Sequence, residues 1–188
     1  LPRIPILPTL VVAAAVALMI WLGFWQLRRL DEKESLLAHY AAAQTMTAEV
    51  SWPRDAAGQK DRLYRRARID CVSAANRSSM AGRNANGESG MAQTAECTLA
   101  DGSKALVVLG WSRLPMAGGD WSGGALHGVI APGPRLVAAP PVAGLEANAI
   151  PDPSEIPNNH FAYAVQWFFF AATALVIYAL ALMKRGRK

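Results

Sequence analysis

Two stretches without a charged residue, Thr9–Leu27 (19 residues) and Phe161–Met183 (23 residues), constrain this chain more than anything else in it. An α-helix rises about 1.5 Å per residue and a bilayer's hydrocarbon core is about 30 Å thick, so about 20 apolar residues cross it. No water is available there to satisfy peptide groups, and helix is the only open structure that satisfies them internally. Both stretches are therefore expected to be transmembrane helices. They also explain a composition of 52% hydrophobic and only 18% charged residues, more apolar than an ordinary soluble domain. A cleaved signal peptide competes for the first stretch, with Arg3 as its basic flank and Val11–Ala17 as its apolar centre. The run is long for that purpose. It ends in Gly23-Phe24-Trp25 before Arg28 and Arg29, an interfacial sequence and not a small-residue cleavage site.

The net charge of +5 would suggest nucleic acid in another chain. Here the excess lies outside residues 28–159, in Arg3, Lys184, Arg185, Arg187 and Lys188, while within that segment the 14 acidic residues meet an equal number of basic ones. The charge therefore reports topology, and no nucleic-acid partner is expected. The bias of basic residues to the cytoplasmic side puts the C-terminal cluster inside, and two spans put the N-terminus there too. Arg28 and Arg29 argue the other way and are outweighed. Trp21, Trp25, Tyr163 and Trp167 suit an aromatic belt at the outer interface. The expected plan is a cytoplasmic N-terminus (1–8), a first span (9–27), a helical extension (28–52), an extracytoplasmic β-rich domain (53–157), a second span (158–183) and a cytoplasmic tail (184–188).

The helical extension should break near Ser51-Trp52-Pro53, because proline disfavours helix at the residue before it. Beyond it, Leu63–Val72, Met91–Leu99, Ala105–Trp111 and Leu126–Ala131 read as strands, the middle two joined by a turn at Asp101-Gly102. Residues 76–90 are a polar Gly/Asn/Ser-rich run that offers no core and reads as a loop. Residues 132–157 hold seven prolines and read as a linker or edge segment leading back to the membrane. No long helices separate the strands, so the domain should be antiparallel and the whole an α+β membrane protein. Cys71 and Cys97 fall on two of the strands and read equally as a disulfide or as two unrelated small buried residues. Neither has a neighbour at metal-ligand spacing, and no metal site is expected.

Of the three histidines, His39 lies on the helical extension and reads as solvated, and His127 lies in a strand and reads as structural. His160 stands in Pro157-Asn158-Asn159-His160-Phe161-Ala162-Tyr163, where the chain returns to the membrane. Asn158 or Asn159 can cap the helix. On that helix His160, Tyr163 or Ala164, and Trp167 fall on one face. An imidazole beside aromatic rings there suits a haem ligand or an interfacial histidine bonded to backbone or lipid. Gln26 and Gln166 are polar groups near the outer ends of their spans, where they mark packing between the helices or against another protein. No nucleophile–base pair or metal set is present in the sequence, so an enzyme is not expected.

Three motifs in order carry a resemblance: Leu22-Gly23-Phe24-Trp25-Gln26-Leu27-Arg28-Arg29-Leu30 with Lys33, Val107-Val108-Leu109-Gly110-Trp111-Ser112-Arg113-Leu114-Pro115, and the Asn158–Ala164 stretch with Gln166-Trp167-Phe168. Together they resemble the Surfeit-locus (Surf/Shy) family of cytochrome c oxidase assembly proteins, over nearly the whole chain. The resemblance implies a non-enzymatic role in maturing aa3-type oxidase by delivering or holding haem a for the large catalytic subunit. It implies haem a, transiently, as the cofactor, with His160, Tyr163 and Trp167 beside it. Trp25, Gln26, Gln166 and Trp111 are then expected to meet oxidase subunits. The asparagine–arginine pair that family members usually carry before Gly-Trp is replaced here by Val108-Leu109, so no function resting on that arginine is expected. With no Arg- and Ser-rich transit segment before the first span, the expected location is the bacterial inner membrane, with the domain in the periplasm. A resident accessory subunit of an oxidase or supercomplex is the alternative. A two-span sensor is disfavoured because the cytoplasmic tails are too short for an output module.

Overall fold

The computed structural model describes residues 5–185, so Arg3 and the Gly186–Lys188 end of the basic tail lie outside the described residues. The chain divides into two units, residues 1–37 with 157–188, and residues 38–156.

The first unit is a pair of helices, α1 (Ile6–Thr45) as far as Leu37, and α3 (His160–Arg185). The short α2 (Ala56–Asp61) belongs to the other unit. Both helices are long and apolar enough to cross a membrane, and only 11% and 6% of their apolar windows are buried. A core helix of a soluble protein would be mostly covered; these two expose their apolar faces, as a lipid-facing helix does. On α1 the residues turned inward are Thr9, Val12, Val16, Met19, Gly23 and Gln26, spaced alternately by three and four. On α3 the matching stripe is His160, Ala164, Trp167, Ala171, Ala174 and Tyr178. This spacing keeps one seam in contact between two helices, and small residues on it let the backbones approach. Gly23 shows why: a Cβ there would stand 2.6 Å from a ring carbon of Phe168. The helices run antiparallel, since Thr9 near the start of α1 meets Tyr178 near the end of α3, while Gln26 meets His160.

The second unit is one seven-stranded sheet. Its strands are β1 (Val50–Ser51), β2 (Arg66–Cys71), β3 (Ser73–Arg83), β4 (Ser89–Thr98), β5 (Lys104–Ser112), β6 (Gly124–Ala131) and β7 (Arg135–Ala138), with α2 (Ala56–Asp61) between β1 and β2. The order across the sheet is β1-β2-β6-β7-β5-β4-β3. The α+β class holds, but the sheet is mixed and not wholly antiparallel: β1 pairs with β2, and β5 with β7, in parallel. The reason is β7, which returns after β6 and fits between β6 and β5, where only one neighbour can run opposite to it.

Alternation builds the core. In β2 the residues Ala67, Ile69 and Cys71 are buried while Arg66, Arg68 and Asp70 face water. Ala105, Val107 and Leu109 of β5 join them with Leu126, Ile130 and Leu136 in the main core. Cys71 and Cys97 form a disulfide with Cα atoms 5.3 Å apart. β2 and β4 are not neighbours in the sheet, so this bond, with Val72 N–H donating to Thr98 O at 2.8 Å, draws the sheet round on itself.

Three expectations change. Helix α1 stops at Thr45 and not near Trp52, because Val50 and Ser51 are taken up by pairing with β2. The polar run 76–90 is not a loop: most of it is β3, the turn after it and the start of β4. β3 lies at the sheet's edge with no buried residue, so backbone pairing to β4 forms it without an apolar pattern. Nor is 132–157 a linker. It contains the interior strand β7, and Glu146, Ala147 and Ala149 hydrogen-bond through their backbones to Trp111, Ala85 and Arg83.

Candidate functional site at the mouth of the helix pair

Helix α3 starts at His160, after Pro157 and the two asparagines. The first turn closes by Tyr163 N–H donating to the backbone carbonyl of Asn159 at 3.2 Å. The Asn158 side chain does not cap it: its Oδ1 is buried without a partner. His160 is half-buried, and its Nδ1 lies 2.7 Å from Oε1 of Gln26 on α1. A carbonyl oxygen only accepts, so in a neutral imidazole this contact requires the proton on Nδ1.

The Gly-Phe-Trp-Gln motif of α1 is thereby explained residue by residue. Gly23 leaves room for Phe168, Phe24 packs edge-on to Phe168 with centroids 5.4 Å apart, and Gln26 reaches His160. Trp25 turns outward, as does Gln166 on α3. Of the residues singled out beside His160, Ala164 and Trp167 share its inward stripe, and the Trp167 indole meets Phe170 edge-on at 6.2 Å. Tyr163 is 49% exposed and lies off that stripe.

Trp111 leaves the set of partner-facing residues. It is 1% exposed, its Nε1 donates to Gly82 O at 3.4 Å, and a side chain at Gly90 would collide with its ring. Its motif is a packing corner inside the β domain. Val108 and Leu109 are buried as well, so the positions before Gly110-Trp111 present apolar core and no charge. His39 contacts the backbone of Asp61 at 3.2 Å, and His127 pairs with the Glu49 carboxylate at 2.9 Å.

Residue patterns do not reveal a cavity of about 250 Å³ in the β domain, lined by Glu49, Tyr64, Arg66, Val129 and Ile150 among others. Tyr64 is held there at a φ of 65°, a left-handed conformation that bulky residues rarely adopt. Burial pushes its hydroxyl pKa up, and Tyr40, Asp152 and Glu155 add to the shift. No spacing rule flags such a residue, because its backbone is set by the turn into β2.

Among the described residues no group of three or more His, Cys, Asp or Glu could hold a metal ion. The helix pair offers a different donor set: one imidazole with one nitrogen hydrogen-bonded to Gln26. That set fits a single axial ligand to haem iron. His160 is the only histidine in the sequence of this unit.

Two helices long and apolar enough to cross a membrane, a disulfide-closed β domain, and a hydrogen-bonded imidazole where the second long helix begins define the class, an α+β membrane protein. Compared with protein-family models, residues 13–150 match the SURF1 family, and the chain belongs to that family. The match takes in Gly23–Gln26 and Gly110–Trp111 and ends before His160. The family is one of assembly factors, generally non-enzymatic, linked to cytochrome c oxidase assembly, which implies oxidase subunits as partners. No curated protein matches the chain.

Proposed function

We propose that this protein assists the delivery of haem a to, or its insertion into, the large catalytic subunit of an aa3-type oxidase, as a chaperone without turnover chemistry. The observation that carries this reading is the His160–Gln26 contact, which engages Nδ1 of the imidazole and leaves Nε2 available. Haem iron, when bound, would supply the coordination position for that lone pair. His160 would hold it, Trp167 and Tyr163 would flank it, and Gln26 would fix the ring. One protein ligand suits a carrier, because release then breaks a single coordinate bond. Trp25 and Gln166, both turned outward, are the side chains proposed to meet oxidase helices.

The proposed setting is the bacterial inner membrane, with the β domain in the periplasm. The Cys71–Cys97 bridge supports an oxidising compartment for that domain, and Lys184 and Arg185 in the last turn of α3 support a cytoplasmic C-terminus. Purifying the oxidase from cells lacking this protein tests the role. A catalytic subunit deficient in haem a is expected, and a full haem complement overturns the proposal. If the protein instead stays at one copy per oxidase through mild purification, it is an accessory subunit and not a transient factor.

A further inference from the structure

Gln26 lies on the inward stripe of α1, three residues beyond Gly23, where the absence of a side chain brings Phe168 against the helix. That close approach puts a glutamine amide within 2.7 Å of the first side chain of α3. A neutral imidazole has one N–H and one lone pair, and whichever nitrogen is bonded to an acceptor must be the one that holds the proton. Imidazoles that ligate metals through one nitrogen are commonly oriented by a hydrogen bond from the other.

We propose that Gln26 is a positioning residue for His160, fixing the tautomer with Nδ1 protonated so that Nε2 is the nitrogen presented to a metal. This rests on the reading of His160 as a haem ligand, but the tautomer itself is a property of the protein without haem. The contact also joins α1 to α3, and a purely structural clasp would need no particular tautomer. The two roles are therefore separable by spectroscopy.

The test uses the full-length protein in mild detergent, with ¹⁵N-labelled histidine and with haem a as the titrant. The wild type should show His160 protonated at Nδ1 before any haem is added. Gln26→Leu removes the acceptor at similar size; it should mix the tautomers and weaken haem a binding by about 10–100-fold, with helix content unchanged. Gln26→Glu keeps an acceptor and should restore both tautomer and affinity. A Gln26→Leu protein with the wild-type tautomer and wild-type affinity overturns the proposal. If His160→Ala leaves the haem a spectrum unchanged, the ligand reading beneath it fails instead. In that event the ¹⁵N measurement on haem-free protein still decides whether Gln26 sets the tautomer.

Discussion

At each end of the helix pair a polar side chain on α1 meets one on α3, and the two contacts differ in what they leave over. At one end the Thr9 hydroxyl donates to Pro5 O at 2.7 Å, so the Tyr178 hydroxyl must donate to Thr9. Thr9 thus both gives and accepts a hydrogen bond. At the other end Gln26 engages only Nδ1 of His160, and Asn158 Oδ1 is buried without a partner. Polar groups in membrane helices are costly when unpaired, so a saturated contact is what packing alone would select. Spare hydrogen-bonding and ligating capacity, and not polarity as such, separates a candidate site from a fastening.

The largest perturbation tests whether that difference belongs to the helix pair alone. The Cys71–Cys97 link spans a sequence separation of 26 residues. Replacing both cysteines by serine should destabilise the β domain by about 3–4 kcal/mol in denaturant unfolding, while the His160 tautomer stays as it was. A change in that tautomer would mean the mouth depends on the domain. Gly23→Val acts closer to the mouth. Forcing a side chain against Phe168 should cost about 1–3 kcal/mol of helix-pair stability and lengthen the Gln26–His160 contact. If Thr9–Tyr178 is lost first, the ends are not independent.

Tyr178→Phe removes the hydroxyl at the saturated end. Hydrogen bonds between membrane helices average about 0.6 kcal/mol, so only a small loss in detergent unfolding is expected, with haem a affinity unaltered. Reduced affinity would erase the distinction between the ends. The smallest effect is a control in the β domain, where Asp101 is another saturated group. Its carboxylate accepts from the Ser103 hydroxyl and the Ser103 backbone N–H, and Arg54 lies beside it, which together hold its pKa below the usual carboxylate value. The stabilisation is present above the ordinary aspartate pKa and is lost as pH falls through the lowered one. Carboxyl NMR should show Asp101 titrating below its usual range, and Ser103→Ala should move it back up.

Much of this was legible from residue patterns, and the misses share a cause. The uncharged runs gave both long helices, and the alternation in β2 and the run in β5 gave core strands, because burial writes itself into side-chain type. β3 was missed because an edge strand with no fully buried residue carries too weak a constraint on side-chain type. β7 was missed because a four-residue strand ending just before Pro140 and Pro141 is too short to show a period. The disulfide stayed open because its partners meet only when the sheet curls. At the site, Gln26 and His160 were legible as polar residues near the outer ends of their helices. Their meeting was not, since that depends on the helix seam and on Gly23. Trp111 was misjudged because an aromatic beside glycine looks the same from sequence whether it faces a partner or fills a corner.

The position of β7 has a consequence for how the β domain can come apart. Without it the sheet is two three-stranded leaves, β1-β2-β6 and β5-β4-β3. β7 stitches them by backbone hydrogen bonds on one side, and Cys71–Cys97 rivets β2 to β4 on the other. Among the joins between the leaves are two unlike chemistries, backbone hydrogen bonds that denaturant weakens and a disulfide that reductant cuts. Reductant alone therefore leaves the β7 pairing in place, and denaturant alone leaves β2 tethered to β4.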